Sequence, residues 1–521
     1  MTDTTIAWVL FLAYLALIGG AAIVGIRKVS GFASYSVGSR QVSPVFVGLS
    51  LAANLTSAAT FVINPGLMYL YGVSGLLGYA VATPLGIIVG LTVLSKAFRR
   101  VGDQYTALTV PQWIGERYGD WRLALFFAVI SLLLITFLVL IVVGLTLVLQ
   151  SVLGLPVLAA MGIVIVFPLV YIMFGGASAH TLTNSMQAII MFVVALILIG
   201  SGLEFFSDGV GGFLDRLRAI EPVLAAPTNP ESLLFRDYFE VLVANFVIGI
   251  AVVTQPHVMS KALYLKSERD VNAYLATGFV VLLVFFAVLI VGLYARILMP
   301  DPAGMPPDQV VPTYLVERFS AGLRAVVAVG LIAAGFSTME GLLVALSTIF
   351  TNDIYRPLAQ RLGSLDEDTM NRRGIALSKW FLLALAPVVA LISYGQIVEP
   401  NLSVAILAQN GVYGLFSATF VPILFGIFAP RMTKGAAFAA AATALVVHFG
   451  TYYGGITMYH NNPAVPATFA LFASTAVALV AVALTKKSTK HPLPPSPPRG
   501  QEAVPLTREG DSSSEARTGG V

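Results

Sequence analysis

The stretch VGLSLAANLTSAATFVINPGLMYLYGVSG, residues 47–75, is long enough to span a membrane as a helix but contains residues that weaken a helix. Small and hydroxylated residues crowd positions 52–60, and Asn-Pro-Gly follows at 64–66. Freed backbone carbonyls cannot meet water in hydrocarbon, so such a stretch is useful inside a bundle, where the carbonyls line a cavity and can coordinate a cation. Close packing through small residues is the alternative. The stretch predicts an irregular helix inside a membrane bundle.

Composition supports a membrane protein. The chain has 521 residues, of which 57% are hydrophobic and 11% are charged, whereas soluble domains carry roughly 25% charge. The absence of cysteine excludes disulfides and thiolate metal sites, and the five histidines form no metal motif, so no cofactor beyond a coupling ion is expected. Basic residues lie between apolar blocks, which argues against a nucleic-acid partner. We therefore expect an all-α polytopic protein whose partner is the lipid bilayer.

About thirteen apolar blocks, numbered here as segments one to thirteen, divide the chain. Placing the N-terminus outside puts most of the 30 Lys and Arg residues in cytoplasmic loops, as the positive-inside rule requires. The sequence thus predicts a multi-pass protein of a bacterial inner membrane, with the N-terminus outside and the C-terminus in the cytoplasm. Residues 486–521, rich in Pro, Ser and Gly, are expected to form a disordered cytoplasmic tail. The segments are 6–26, 44–71, 75–97, 123–150, 157–175, 182–204, 236–257, 271–297, 321–350, 378–395, 402–428, 435–452 and 464–485.

The ninth segment carries a second unusual pattern. Its sequence VVAVGLIAAGFSTMEGLLVALSTIFTNDIY, residues 326–355, puts Ala334, Ser337 and Thr338 on one helical face. Two hydroxyls and a carbonyl offer a hard cation oxygen ligands without burying a full negative charge. An ordinary interhelical or back-bonding Ser-Thr pair is the alternative.

Five motifs in this order resemble the sodium/solute symporter family, which includes bacterial pantothenate, acetate and proline permeases. The resemblance covers roughly residues 1–485 and implies a secondary active transporter, not an enzyme. The motifs are YSVGSRQVSP (35–44), SAATFVINPGLMYLYG (57–72), FGGASAHTLTNSMQ (174–187), QPHVMSKALYLK (255–266) and AAGFSTMEG (333–341).

The resemblance implies a LeuT-like fold in one transmembrane domain, 1–485. Segments two to six (44–204) and seven to eleven (236–428) would form two inverted five-helix repeats, with one helix before them and two after. Such repeats place substrate and ion beside broken helices near the midplane. The sodium site implied by the family has carbonyl ligands from the second segment and a carbonyl with two hydroxyls from the ninth. For the two carbonyl ligands of the second segment, the pair one residue earlier, Ala52 and Leu55 in place of Ala53 and Thr56, stays open. The implied ligands are Ala53, Thr56, Ala334, Ser337 and Thr338.

Two residues depart from the family pattern. Asn184 stands where relatives often have Asp, and Glu340 lies in the ninth segment where a small hydroxyl residue is usual. A carboxyl group within a membrane is costly and suggests a function by default. Glu340 is thus interpreted as a proton site, a cation ligand or a structural partner, and both residues are coupling candidates. A second sodium site like that of the family is not expected.

The substrate chamber is expected between the second and seventh segments. Its candidate ligands are Ser57, Thr60, Phe61, Asn245 and Gln255. His257 is read as a structural residue at the end of the seventh segment, and His448 as a packed residue outside the transport core. No positive charge lies in the middle of segments two, three, seven or eleven, so a carboxylate would be held by helix N-terminal amides, hydroxyls or the sodium itself.

The leading hypothesis is sodium-coupled uptake of a small organic solute, such as acetate or pantothenate, by alternating access. One alternative is proton-coupled symport through Glu340. Another is a membrane sensor that keeps the transporter body, although sensors of this kind should add a recognisable soluble domain. No obligate protein partner is evident from the sequence.

Overall fold

The computed structural model describes residues 3–29, 31–37, 43–105, 107–265, 268–302, 304–363, 367–400 and 402–485. The predicted tail, 486–521, lies outside these ranges, as does part of the first family motif, 38–42. Every regular element in the described ranges is helical, so the all-α class is confirmed. The domain limits predicted from the sequence stay predictions.

Twenty-two α-helices occur in the described ranges. They are α1 (Asp3–Ile26), α2 (Phe32–Val37), α3 (Pro44–Leu55), α4 (Asn64–Tyr71), α5 (Val73–Leu76), α6 (Thr83–Tyr105), α7 (Val110–Tyr118), α8 (Trp121–Ile130), α9 (Ile135–Leu153), α10 (Val157–Gly200), α11 (Gly209–Ile220), α12 (Asn245–Val252), α13 (Pro256–Met259), α14 (Glu268–Ala287), α15 (Val291–Leu298), α16 (Val310–Arg318), α17 (Ala321–Ile349), α18 (Arg356–Leu362), α19 (Glu367–Val398), α20 (Val404–Phe428), α21 (Lys434–Gly454) and α22 (Ala464–Leu484).

Short irregular helices interrupt or join these elements. The π-helical turns are Ala59–Ile63, Leu77–Ala82, Phe239–Ala244 and Phe350–Tyr355. The 3-10 turns are Ser131–Leu134, Leu203–Phe206, Pro222–Ala225, Ser260–Tyr264, Val288–Ile290 and Pro307–Gln309.

The described residues contain ten helices long and apolar enough to cross a membrane, or twelve if two bent pairs each count as one span. The bent pairs are Pro44–Leu55 with Ala59–Tyr71, turned by 52°, and Phe239–Val252 with Pro256–Leu263, turned by 58°. They are the second and seventh segments, the first helices of the two expected repeats. The break predicted in the second segment is therefore present, while the repeat boundaries stay predictions.

The longest helix, α10, joins the fifth and sixth predicted segments. Its 44 residues would extend roughly 66 Å as one straight helix, about twice the hydrocarbon thickness of a bilayer. Gly176 interrupts it with φ +48° and ψ −138°, a conformation that residues with a Cβ rarely adopt. A count of thirteen spans requires α10 to be divided there, and that count stays a prediction.

The ninth segment, α17, is the central helix of the bundle. In its most apolar stretch 89% of the residues are buried, compared with 28% for α1 and 22% for the span Thr369–Val398. It packs against α10, α1, α9 and α3. The small and hydroxylated residues of this segment, including Ser337 and Thr338, are accordingly inside the protein.

Two seams of close backbone contact join particular segments. A Cβ on Gly249 of α12 would lie 2.2 Å from the carbonyl oxygen of Thr83 in α6, so the third and seventh segments touch through backbone. A Cβ on Gly292 of α15 would lie 2.0 Å from the carbonyl oxygen of Pro65 in α4, which joins the eighth segment to the second. Small residues commonly allow such approach between membrane helices.

The loop before the ninth segment connects with the N-terminus of α20. The Asp308 carboxylate accepts a hydrogen bond from the Ser403 hydroxyl at 2.6 Å and another from the Val404 N–H at 3.0 Å. It thus satisfies a donor of the first turn of α20. Burial raises the pKa of Asp308 overall, although these two hydrogen bonds oppose the shift.

The seam at Gly249 generates a prediction. Gly249→Ala should destabilise the protein by about 1–3 kcal/mol or more, because its Cβ can be placed only by shifting backbone. The measurement is thermal unfolding of the purified protein in detergent. Gly162→Ala in α10 is the control, since nothing lies within 4 Å of its Cβ. Equal melting temperatures for the two variants would contradict a tight seam.

Candidate functional site

The break in the second segment lies between Leu55, the last residue of α3, and Ala59. The Thr56 hydroxyl donates to the Ala52 carbonyl at 2.6 Å, and the Ser57 hydroxyl accepts from the Ala59 N–H at 3.1 Å. Hydroxyl groups that bond to nearby backbone in this way compete with a regular helical ladder. Pro65, which lacks an N–H, follows the π-helical turn and weakens the ladder further.

Two of the residues predicted as sodium ligands, Ala53 and Thr338, are in contact beside this break. The Thr338 hydroxyl of α17 donates to the Ala53 carbonyl of α3 at 3.2 Å, and the Ser337 hydroxyl donates to the Ala334 carbonyl at 2.8 Å. All of these residues are fully buried. Thr56 is buried at the end of α3, with its hydroxyl turned to its own helix. The oxygens are hydroxyls and carbonyls, which suit a hard monovalent cation.

The hydrogen bonds distinguish Ala53 from its neighbour. The Ala52 carbonyl accepts from both the N–H, at 3.1 Å, and the hydroxyl of Thr56. The Ala53 carbonyl instead faces the Thr338 hydroxyl across the helix interface. Leu55 lines the larger cavity described below. The pair Ala53 and Thr56 and the alternative pair one residue earlier, Ala52 and Leu55, both stay predictions.

The Glu340 carboxylate is fully buried and surrounded by side chains of α10. Oε1 accepts from the Tyr171 hydroxyl and from Gln187 Nε2, the latter at 2.6 Å. Oε2 accepts from the Thr183 hydroxyl and lies 3.2 Å from His180 Nδ1. Tyr171 precedes the break at Gly176 and the other three follow it, so one carboxylate connects both parts of α10 to α17.

Asn184 extends this network towards the second segment. Its Nδ2 donates to Asn54 Oδ1 at 2.8 Å and lies 3.2 Å from His180 Nε2. An N–H of Asn184 directed to Nε2 leaves the proton of a neutral His180 on Nδ1, where it points to Glu340. The two coupling candidates, Asn184 and Glu340, therefore belong to one network.

The partners of Glu340 were missed by the sequence analysis. His180, Thr183 and Gln187 occupy positions i, i+3 and i+7 of α10 and so share one face. That periodicity was the available signal. Tyr171 lies beyond the Gly176 break, where helical spacing no longer applies.

The substrate cavity, as we name it, begins at the break of the second segment and encloses about 790 Å³, part of it continuous with solvent. Three predicted residues, Ser57, Thr60 and Gln255, line it. Phe61 and Asn245 lie outside its lining. The Phe61 ring packs on Phe285, and Asn245 Nδ2 donates to the Glu240 carbonyl of its own segment at 2.8 Å. Polar lining residues not predicted are Asn54, Asn64, Tyr79, Thr83, Gln409 and Tyr413.

The substrate cavity is polar but uncharged. No Asp, Glu, Lys, Arg or His belongs to its described lining. Asn64 Oδ1 and Gln255 Oε1 are buried acceptors without a protein donor among the described residues. Tyr79 and Gln409 already bond to each other, with Gln409 Nε2 donating to the Tyr79 hydroxyl at 2.9 Å. Free acceptors in a cavity are suited to a ligand that carries hydroxyl or amide N–H donors.

The histidine cavity, about 380 Å³, begins beyond the break in the seventh segment. His180, His257, Gly341 and Thr348 are among its lining residues. His257 is thus placed at a cavity wall rather than in the substrate cavity. His448 lies elsewhere, with Nε2 2.9 Å from the Asn410 carbonyl, which agrees with its interpretation as a packed residue. Within the described part of the chain, no group of three His, Cys, Asp or Glu residues could hold a metal ion.

Solved transporter structures share this fold. A Na⁺-coupled sialic acid symporter in a substrate-bound, outward-open state superposes with a TM-score of 0.76 at 16% identity, covering 92% of this chain and 97% of that one. A nucleobase-cation-symport-1 family transporter in a closed conformation gives a TM-score of 0.53 at 13% identity, covering 86% and 94%. At these identities the similarity concerns the fold, and it confirms the LeuT-like class.

Characterised relatives are similar over most of their length. The sodium/pantothenate symporter of Haemophilus influenzae is 24% identical over 478 residues, which cover 88% of this chain and 93% of the relative. That of Escherichia coli is 26% identical over 465 residues, covering 87% and 92%. The high-affinity proline transporter PutP of Bacillus subtilis is 25% identical over 434 residues, covering 81% and 87%.

The family model matches a continuous region that contains both broken segments, the Glu340 network and the substrate cavity. Its match extends over residues 35–443, which is most of the chain. The family and the relatives consist of transporters, so the chain is a multi-pass transporter and not an enzyme. We conclude that this chain belongs to the sodium:solute symporter family.

Proposed function

We propose that this chain uses a sodium gradient to take up a small hydroxylated monocarboxylate of the pantothenate class. The observation that carries the proposal is the contact between a broken helix and a hydroxyl-bearing helix, Ala53 carbonyl to Thr338 hydroxyl, beside an uncharged cavity. Broken helices that line a cavity are the usual location of ion and substrate in such transporters. Two similar proteins are sodium/pantothenate symporters.

The sodium would be coordinated by five oxygens. They are the carbonyl oxygens of Ala53, Thr56 and Ala334 and the hydroxyl oxygens of Ser337 and Thr338. Its binding would replace the direct Thr338–Ala53 hydrogen bond and draw α3 to α17 through the ion. The ion would thereby stabilise one arrangement of the two helices, which is the requirement for coupling a gradient to a conformational change.

The substrate class follows from the chemistry of the cavity wall. Pantothenate carries a carboxylate, two hydroxyls, an amide and two methyl groups. Asn64 Oδ1 and Gln255 Oε1 can accept from its hydroxyl or amide donors, and Phe137 and Leu140 provide apolar wall for its methyl groups. With no cationic residue in the described lining, the carboxylate would be balanced by sodium.

The loop charges support an orientation in the membrane. Clusters of basic residues follow the third, seventh and ninth segments, including Arg99, Lys261 and Arg356. Because cytoplasmic loops retain positive charge, the N-terminus would be outside and the C-terminus inside. The histidine cavity, lined by Thr109 and Ser260, would then face the cytoplasm.

Glu340 would act as a structural hub for coupling. Its carboxylate holds both parts of α10 against α17, and His180 and Asn184 extend these hydrogen bonds to Asn54, next to the sodium ligand Ala53. A shift at the sodium site would reach α10 through this network. The proposed role depends on the hydrogen bonds to the carboxylate oxygens.

Replacing the two hydroxyls of α17 tests the sodium site. Ser337→Ala and Thr338→Ala should each raise the half-saturating sodium concentration by about tenfold or more, because each removes a ligand worth roughly 1.4 kcal/mol. The measurement is radiolabelled pantothenate uptake into proteoliposomes at varied external sodium. Ser347→Ala is the matched control, since its buried hydroxyl donates to the Val344 carbonyl of the same helix, away from the proposed ligands. Unchanged sodium dependence in both variants would remove the assignment.

Removing a free acceptor tests the substrate cavity. Gln255→Met keeps the length of the side chain but removes Oε1, and it should raise the KM for pantothenate by about tenfold. Half-saturating sodium should change less, because Gln255 is not among the proposed ion ligands. Gln150→Met in α9, outside the cavity lining, is the control. An unchanged KM for Gln255→Met would exclude its contact with substrate.

The hub role of Glu340 makes a prediction about stability. Glu340→Gln offers one acceptor oxygen and an NH₂ group to four donors, so two donors would lose their partner. We expect a loss of about 2–4 kcal/mol in stability together with reduced uptake. The measurement is thermal unfolding in detergent, with the exposed Glu317→Gln as control. If Glu340→Gln melts like the unsubstituted protein, the carboxylate is not a structural hub.

A further inference from the structure

A group of basic side chains occupies one corner of the molecule, where the end of α1 and the start of α19 approach the break in α10. The stretches 20–37, 170–181 and 369–380 contain no Asp or Glu, and the acidic residues 366–368 come one turn before the first basic residue of α19. None of the basic side chains in these stretches has a carboxylate partner among the described residues. We call this group the basic corner, and its members are Arg27, Lys28, Arg372, Arg373 and Lys379.

The end of the fifth segment brings α1 and α19 to the same place. Lys379 Nζ lies 4.4 Å from the centroid of the Phe174 ring. A Cβ on the next residue, Gly175, would lie 2.9 Å from Ile26 Cγ1, at the end of α1. The basic residues 27–28 follow Ile26 directly and are exposed. Cations from two helices therefore flank a single turn of α10.

An apolar stripe leads from this turn into the membrane. Val166, Val170 and Phe174 lie four residues apart on one face of α10 and are 54%, 50% and 51% exposed. The stripe is roughly 12 Å long, which is close to the ~15 Å of hydrocarbon in one leaflet. Trp380, beside Lys379 in the chain, is 68% exposed, as is usual for an aromatic residue at the membrane interface. The surface thus combines positive charge at its end with an apolar face of one leaflet in length.

The turn at the basic corner also connects the donors that hold Glu340. Tyr171 precedes it and His180 follows it, and both contact the Glu340 carboxylate. On one side, α2 covers the turn, since the Ser178 hydroxyl donates to the Ser34 carbonyl at 2.9 Å. On the side of Phe174 the surface stays half exposed. A ligand bound there would brace the turn from its uncovered side.

We propose that the basic corner binds an anionic phospholipid, with the phosphate between Lys379 and the end of α1 and an acyl chain along the stripe of α10. The charge selects the headgroup, because clustered Lys and Arg at the end of a membrane helix attract anionic lipids, whereas a zwitterionic lipid adds a cation of its own. With the proposed orientation, the lipid belongs to the cytoplasmic leaflet. Its binding depends neither on the transported solute nor on the coupling ion.

Thermal unfolding of the full-length protein in detergent tests this site. The protein is titrated with phosphatidylglycerol or with phosphatidylcholine of the same acyl chains, and the melting temperature is followed against the mole fraction of lipid. Phosphatidylglycerol should reach half of its effect at a mole fraction at least tenfold lower than phosphatidylcholine. Inorganic phosphate without lipid should leave the melting temperature unchanged, because it lacks the chain that occupies the stripe.

Removing the charges should weaken the response to phosphatidylglycerol. Lys379→Gln should raise its half-saturating mole fraction by about fivefold, the usual contribution of one basic residue to binding an anionic lipid surface. Lys379→Arg, which keeps the charge, should resemble the unsubstituted protein. The triple variant Arg27→Gln, Lys28→Gln, Lys379→Gln should raise the mole fraction by more than tenfold. In proteoliposomes, replacing part of the phosphatidylcholine by phosphatidylglycerol should stimulate uptake by the unsubstituted protein but not by the triple variant.

The matched control removes three charges at another corner, where Lys434 binds Asp120 at 3.0 Å. Its substitutions are Arg122→Gln, Arg431→Gln and Lys434→Gln, and it should respond to phosphatidylglycerol like the unsubstituted protein. Equal weakening in both triple variants would indicate attraction by total charge and overturn the site. Equal responses to the two lipids, or a melting shift with phosphate alone, would also overturn it. Absence of pantothenate uptake from every variant would contradict the proposed function alone, because the melting shifts do not require transport.

Discussion

A backbone carbonyl inside a bilayer needs a donor or a cation, and this requirement determines where a membrane helix can be broken. The second segment is broken after Leu55, where α17 brings the Thr338 hydroxyl to the Ala53 carbonyl. The break therefore depends on a helix that is itself almost completely enclosed by protein. The central position of α17, the cavity beside α3 and the network around Glu340 all follow from protecting this interrupted backbone from lipid.

The acidic group of this network lies on α17, and its donors lie on α10. Each carboxyl oxygen of Glu340 has two hydrogen-bond partners, which is why an acidic group is tolerable in a buried location. Those partners come from both sides of the Gly176 break. The carboxylate consequently fixes the bend of α10 as well as its distance from α17, and the hydrogen bonds continue through Asn184 to the second segment.

The fold and the two unusual segments were predictable from the sequence, since apolar blocks of spanning length and residues unsuited to lipid are both local properties. The interruption of α10 lies in the gap between the fifth and sixth predicted segments, 157–175 and 182–204, but only the positive φ of Gly176 identifies the residue at which it occurs. Polar residues at helical spacing placed His180, Thr183 and Gln187 on one face, but not against Glu340. Their contact depends on how α10 and α17 approach each other.

The substrate residues divide in the same way. Ser57 and Thr60 line the cavity because they follow the break directly, whereas Phe61 is turned towards Phe285. Gln409 and Tyr413 come from α20, more than 300 residues along the chain, and only tertiary packing brings them to the second segment. Sequence patterns thus identified the interrupted helices but not the opposite wall of the cavity.

The glycine seams limit how this molecule can change shape. Backbone in direct contact at Gly249 and Thr83, or at Gly292 and Pro65, cannot slide without collision. Backbone contact therefore holds the second segment closely against the eighth, and the third closely against the seventh. The contacts of Thr338 and Asn54 are instead hydrogen bonds, each of which contributes only about 1 kcal/mol net and can be exchanged for another hydrogen bond. The glycine contacts therefore resist relative movement of the helices, whereas the hydrogen-bonded contacts permit it. Substituting a glycine of these contacts should slow every step of the transport cycle. Substituting a residue of the hydrogen-bonded contacts should instead alter the balance between the states of the cycle.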